Sequence, residues 1–171
     1  MKVTLKDGSF KEYDAPMSVY DIARDISDGL ARAACVGEVD GEVVDLRTVV
    51  DHDCTLNILT FDAEAGKKAY RHTCAHVLAQ AVKNLYPDAK LTIGPAIDNG
   101  FYYDFDMPSL DRDALDAIEK EMKKIIKKGD RLERFTLSKK EAIKLMTERN
   151  EPYKVEMIEE HPETDELSFY Q

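Results

Sequence analysis

The segment Cys35-Val36-Gly37-Glu38-Val39-Asp40-Gly41-Glu42-Val43-Val44-Asp45 decides the fold predicted for the first part of the chain. Two valine-rich arms flank Asp40-Gly41, and an Asp-Gly pair between such arms is a strong signal for a two-residue β-hairpin. Another hairpin is predicted before it, with Lys6 to Ser9 as its turn. A further strand, from Thr55 to Leu59, is predicted after it.

A single helix is predicted between the two hairpins. Ser18 followed by Asp21 is a capping-box pattern, and the apolar residues behind it repeat with helical spacing. Asp28-Gly29 is expected to end this helix. Strands and one helix in the order ββαβββ within about sixty residues predict an α+β domain of β-grasp (ubiquitin-like) type, in which the helix packs on one face of a mixed sheet.

The polar stretch from Asp62 to Lys68 is taken as the boundary between domain 1–62 and domain 63–171. The second domain starts with a helix that ends at Leu85, because Pro87 cannot continue it. Asn99-Gly100 indicates a hairpin, and a helix opened by Ser109 or Asp111 is expected to end at Gly129. Further elements are predicted as follows: a strand from Leu132 to Thr136, a helix capped by Ser138 and Glu141, and strands at 153–158 and 167–170.

Composition excludes several classes of protein. No stretch approaches the roughly 20 apolar residues of a membrane helix, and the amino-terminal residues do not resemble a signal peptide. Three cysteines without a CxxC pair favour neither a disulfide framework nor a zinc knuckle, so a cytoplasmic protein is expected. The net charge of −10 argues against a broad phosphate-binding surface, so any RNA contact must use a local basic patch.

Two histidines, His72 and His76, lie four residues apart on the predicted helix and therefore project from one face. Ala79 and Lys83 share that face. It is opposite the apolar stripe of the helix, so the histidine pair either faces solvent or lines a cleft with another element. The stripe consists of Cys74, Val77, Leu78, Ala81 and Leu85. Three interpretations remain open: a chance surface pair, a metal site, or a polar cleft that orients water or a ligand's hydroxyls. The metal site lacks the HExxH glutamate, because Thr73 occupies that position.

The segment Arg71-His72-Thr73-Cys74-Ala75-His76, followed by the run from Ile93 to Asp104, is similar to the second amino-terminal domain of bacterial threonyl-tRNA synthetases. Residues Leu5 to Ser9 and Val39 to Glu42 resemble the TGS domain that precedes it, and Glu151 to Val155 also resembles a segment of this family. The resemblance covers essentially the whole chain, in the order expected.

The resemblance implies an editing reaction, the hydrolysis of serine wrongly esterified to threonine tRNA. By matching position, it implies that His72, His76 and Lys154 are catalytic and that Tyr103 and Gly94 bind substrate. The two histidines would hold the ribose end and a hydrolytic water, Lys154 would stabilise charge on the ester oxygen, and Tyr103 would shape the pocket. If these two residues have no function, Lys154 is a solvated lysine on a strand and Tyr103 is an aromatic residue of the core.

The family completes this site with an Asp-containing Cys-x-x-x-His segment that would follow residue 171 and is not among these residues. Domain 63–171 is therefore expected to be an incomplete editing domain, and these residues are not expected to aminoacylate tRNA. No metal or cofactor is predicted here. The resemblance implies ATP, Mg²⁺ and Zn²⁺ only for a synthetic domain elsewhere. It also implies the acceptor end of threonine tRNA and the remaining synthetase domains as partners, and a homodimeric parent ligase.

Two alternatives remain. TGS domains also occur in GTPases and nucleotide-signalling enzymes, so the chain could be a non-catalytic module that binds RNA or regulates. A small metal-dependent hydrolase that uses His72 and His76 is the other possibility.

Overall fold

The computed structural model describes residues 1–129, 133–162 and 166–170, and its contacts divide the chain into a unit of residues 1–73 and a unit of residues 74–171. The division lies inside a long helix. The predicted boundary after residue 62 stays a prediction.

The first unit is an α+β domain in which α1 packs on a mixed sheet. Its elements are β1 (Lys2–Leu5), β2 (Phe10–Glu12), β3 (Met17–Ser18), α1 (Val19–Ile26), α2 (Asp28–Ala33), β4 (Ala34–Val39), β5 (Glu42–Val44), β6 (Val49–Val50) and β7 (Cys54–Thr60). Five strands form the sheet in the order β2-β1-β7-β4-β5, and β3 pairs with β6. Strand β1 runs parallel to β7, and the other neighbours are antiparallel. This β-grasp fold confirms the predicted class.

The core of the first unit joins α1 to the sheet. Val19 and Ile22 of α1 are fully buried against Val3 and Leu56 of the central strands. The side chain of Ser18 accepts a hydrogen bond from the Asp21 N–H, which confirms the predicted helix start. Asp28-Gly29 does not end the helical segment as expected. Ser27 instead caps a second short helix, α2, by accepting from the Leu30 N–H.

The second unit combines short hairpins with helices. A single helix, α3 (Glu64–Leu85), runs from the first unit into the second. It is followed by β8 (Lys90–Leu91), β9 (Ala96–Ile97), β10 (Gly100–Phe101), β11 (Phe105–Asp106), α4 (Arg112–Lys128), β12 (Arg134–Ser138), α5 (Lys139–Glu148), α6 (Pro152–Glu159) and β13 (Glu166–Tyr170). The pairs β8–β11, β9–β10 and β12–β13 are antiparallel.

The predicted hairpin at Asn99-Gly100 is present, but its turn lies one residue earlier. Gly100 is already in β10 and pairs with Ile97, so Asp98 and Asn99 form the turn. The strands around this turn are only two residues long: Ala96–Ile97 pairs with Gly100–Phe101, and Lys90–Leu91 pairs with Phe105–Asp106. Leu132, the predicted start of the next strand, lies outside the described residues.

The strand predicted at residues 153–158 is wrong, because these residues form helix α6. Pro152 occupies its first turn, where a residue with a fixed φ and no N–H is favoured. The better-covered side chains of α6 are Lys154, Val155 and Ile158, whose spacing is helical and not alternating. Lys154, a candidate catalytic residue, therefore lies on a helix.

Candidate functional site

Tyr103 and Gly94 are packed directly against each other in the second unit. A Cβ added to Gly94 would lie 2.2 Å from Cδ2 of Tyr103, so only glycine leaves room for the ring. Gly94 and Tyr103 lie on opposite arms of one hairpin. Two hydrogen bonds join these arms: the Asp104 N–H donates to the Ile93 carbonyl at 2.9 Å, and the Thr92 N–H donates to the Asp104 carbonyl at 3.2 Å. Phe105 stacks on Tyr103 with ring centroids 4.6 Å apart. The hairpin therefore holds the Tyr103 ring at Gly94.

Lys154 extends from α6 to this ring. Its Nζ lies 5.8 Å from the centroid of Tyr103, within the roughly 6 Å range of a cation–π contact. Burial lowers the pKa of the Lys154 ammonium, and the Glu151 carboxylate acts in the opposite direction. Burial, reinforced by Glu151, raises the pKa of Tyr103 to about 12. The lysine is thus a partly desolvated cation beside a neutral phenol at ordinary pH.

The histidines lie one turn apart on α3, as predicted. His76 is half-buried, and its ring centroid lies 5.6 Å from that of Tyr170 on β13. His72 is exposed and belongs to the part of α3 in the first unit.

The predicted burial pattern of α3 needs correction. Leu85 of the predicted apolar stripe is 38% exposed, whereas Ala79, on the face shared with the histidines, is buried. In the second unit this face is therefore partly buried, since His76 and Lys83 are only partly exposed. Small alanines allow other elements to pack on several sides of the helix, and this effect is invisible to a periodicity based on large apolar residues.

Sequence reasoning missed an ion pair beside Lys154 whose carboxylate is buried. The Glu151 side chain is 6% exposed, and its Oε1 lies 2.8 Å from Nζ of Lys83 on α3. Glu151 belongs to a segment that resembles the threonyl-tRNA synthetases, yet it received no role because its partner lies far away in sequence. The sequence signal that could have pointed to Glu151 is its position directly before Pro152, a residue that can begin a helix.

No group of three or more His, Cys, Asp or Glu side chains among residues 1–129, 133–162 and 166–170 is arranged to hold a metal ion. None of the helices described is long and apolar enough to cross a membrane.

Replacing Gly94 with alanine is expected to displace the Tyr103 ring and to lower the free energy of unfolding by about 1–3 kcal/mol, the usual cost of overpacking. Urea unfolding measures the change, with Gly100→Ala as the matched control. An added Cβ at Gly100 meets nothing within 4 Å. Equal stability of the two variants would contradict the close packing of Gly94 and Tyr103.

Comparisons with known proteins show which proteins this chain is similar to. Residues 1–60 match the model of the TGS domain. The chain is 61% identical over 171 residues to a threonine–tRNA ligase of Acetivibrio thermocellus and 58% identical to that of Caldanaerobacter subterraneus subsp. tengcongensis, with 99% of this chain covered in each alignment. The threonine–tRNA ligase of Clostridium perfringens is 54% identical over the full chain.

Over 99% of its length, this chain matches one region of threonine–tRNA ligases. The resemblance inferred from the sequence is confirmed, as is the TGS domain. The chain spans 27% of the length of the first two threonine–tRNA ligases, so the similarity concerns one region of those enzymes. The roles of His72, His76, Lys154, Tyr103 and Gly94 stay predictions.

Proposed function

We propose that the second unit of this chain hydrolyses the ester that joins serine to threonine tRNA, as part of a ligase that joins threonine to tRNA with ATP. The observation that carries the proposal is the partly desolvated Lys154 ammonium beside the Tyr103 ring, which packs on Gly94. The similarity of the chain to one region of threonine–tRNA ligases supports it.

Physical chemistry explains why such a ligase needs a second site. Serine lacks one methyl group of threonine, and a binding pocket gains only about 1–3 kcal/mol from a group of that size. This difference is too small for accurate selection in one step. A hydrolytic pocket that admits serine and excludes the extra methyl removes the error. Tyr103, fixed against Gly94, supplies a rigid wall for such a pocket.

The proposed reaction adds water to the seryl carbonyl carbon. The bond from that carbon to the ribose oxygen then breaks, the water proton goes to the ribose oxygen, and serine and tRNA are released. Lys154 stabilises the negative charge that builds on the carbonyl oxygen, as a positioned cation does for an oxyanion. His76 orients the water through its ring nitrogens. The role predicted for His72 is to hold the ribose end.

The partners proposed are the acceptor end of threonine tRNA, the remaining ligase domains, and a second copy of the ligase in a homodimer. ATP, Mg²⁺ and Zn²⁺ are proposed for the synthetic domain, and the hydrolysis described here uses none of them.

The pH dependence of the reaction follows from Lys154. The charged ammonium is the active form, so the rate is expected to fall as pH rises through its pKa. Burial lowers that pKa, so the fall comes at a lower pH than for an exposed lysine, whose pKa is about 10.4. The measurement is the single-turnover rate of serine release from pH 6 to pH 10, after subtraction of uncatalysed ester hydrolysis. An enzymatic rate that keeps rising throughout this range would contradict the role.

A second candidate function, RNA binding without catalysis, is favoured by the TGS match over residues 1–60. One experiment separates the two candidates. A hybrid ligase is made in which this chain replaces the matching region of the Acetivibrio thermocellus enzyme, and acceptor-end binding and serine release are measured separately. Serine release above that of the same ligase lacking this region supports hydrolysis. Binding without release supports the second candidate and overturns the first.

A further inference from the structure

Glu151 joins three elements of the second unit through a buried carboxylate. Glu151 is 5% exposed. Among the residues that the structure describes, it is the charged residue that is buried. Its Oε2 accepts a hydrogen bond of 2.9 Å from the Leu91 N–H of β8, and its Oε1 lies 2.8 Å from Nζ of Lys83 on α3. A buried carboxylate with both oxygens engaged is held in one orientation.

Lys83 is fixed in turn by the loop between α3 and β8. Its Nζ donates to the Pro87 carbonyl at 2.8 Å and to the Ala89 carbonyl at 2.9 Å, in addition to its contact with Glu151. An ammonium has three donors, and all three therefore find acceptors here. The pair is consequently a rigid junction between α3, β8 and the start of α6.

Glu151 occupies the N-cap position of α6 but does not cap the helix with its side chain. Its carbonyl accepts from the Lys154 N–H at 3.1 Å and from the Val155 N–H at 3.2 Å, which starts the helix. The side chain is directed to α3 and β8 instead. Lys154 follows one turn later, so the orientation of α6 at Glu151 decides where the Lys154 side chain reaches the Tyr103 ring.

We propose that Glu151, clamped by Lys83, is a positioning residue that sets α6 so that the Lys154 ammonium lies charged beside Tyr103. Its relevance to catalysis rests on the proposed hydrolysis. The placement and the charge of Lys154 can be measured without any turnover. Two separate results therefore test the two proposals. If the hybrid ligase with the unsubstituted chain does not release serine, the proposed function is wrong. The titration of Lys154 tests the positioning role of Glu151.

The two members of the clamp are expected to move the pKa of Lys154 in opposite directions. Glu151→Gln keeps the side-chain shape but removes the negative charge and leaves Lys83 uncompensated, so the pKa of Lys154 falls by about one pH unit. Lys83→Met removes the compensating cation and leaves the carboxylate, so the pKa of Lys154 rises. A merely structural defect gives no reason for opposite signs.

The test is an NMR titration of the Lys154 Cε and Nζ resonances in this chain and its variants. Glu156→Gln is the control, since Glu156 is exposed on the same helix and is expected to leave the pKa of Lys154 nearly unchanged. Opposite shifts in Glu151→Gln and Lys83→Met support the proposal. Shifts of equal sign, or none larger than the control, overturn it. If Glu151→Gln does not fold, the Lys83→Met shift decides, with a raised pKa in support and an unchanged or lowered pKa against.

In the hybrid ligase, Glu151→Gln is also expected to reduce kcat for serine release by about tenfold or more, with a smaller effect on KM. In this variant, the fall of the rate at alkaline pH should begin at a lower pH, in step with the lower pKa of Lys154. A change in KM alone would contradict positioning of the reacting cation.

Discussion

Replacing Gly66 with alanine is expected to lower the free energy of unfolding of the first unit by about 3 kcal/mol or more. An added Cβ at Gly66 would lie 1.9 Å from the carbonyl oxygen of Thr60 and 2.7 Å from its carbonyl carbon. These are backbone atoms at the end of β7, where Thr60 pairs with Ala34 and its carbonyl accepts from the Ala63 N–H. The strand cannot retreat without losing those contacts. The gain of roughly 1 kcal/mol in helix propensity from glycine to alanine is smaller than this cost.

Urea unfolding followed by circular dichroism measures the effect of Gly66→Ala. The control is Gly29→Ala in α2, where the nearest neighbour of an added Cβ is Oγ of Ser27 at an ordinary 3.9 Å. That variant is expected to be as stable as the unchanged chain or slightly more stable. Similar stability of the two variants would show that α3 does not start against the end of β7.

Replacing Lys154 with methionine in the hybrid ligase is expected to slow serine release by about 10²–10³-fold, the usual cost of removing one oxyanion-stabilising group. Methionine retains most of the apolar stem, so packing against Tyr103 persists while the charge is lost. The effect should appear in kcat, because the negative charge develops only in the transition state.

Lys140→Met is the control for this prediction, since Lys140 lies exposed on α5. It is expected to release serine at the rate of the unchanged hybrid. Equal rates for Lys154→Met and Lys140→Met would remove Lys154 from the proposed mechanism.

The elements that sequence predicted correctly depend on local chemistry. Asp40 and Gly41 both adopt positive φ, 49° and 88°, which is the conformation that makes Asp-Gly a hairpin signal. Ser138 and Glu141 form the reciprocal bonds of a capping box, and Gly129 ends α4 in the left-handed conformation. Each of these signals is complete within a few residues, so no knowledge of the tertiary structure was needed.

The features that sequence could not predict depend on distant contacts. The residues of α6 alternate in polarity and were therefore interpreted as a strand. Their helical state follows from Pro152 and from packing of Ile158 with Ala142 and Met146. The carboxylate of Glu151 binds the N–H of Leu91, 60 residues earlier in the chain, and no short pattern encodes that pair. In the candidate site, Tyr103 and Lys154 were found by family resemblance, whereas the clamp behind Lys154 required the fold.

The most direct test of the proposed editing function is a comparison of two esters in the hybrid ligase. Single-turnover rates of amino acid release are measured for threonine tRNA charged with serine and for the same tRNA charged with threonine. The account predicts faster release of serine by about tenfold or more, because the pocket must exclude one methyl group. Equal rates for the two esters, or serine release no faster than uncatalysed hydrolysis, would contradict it.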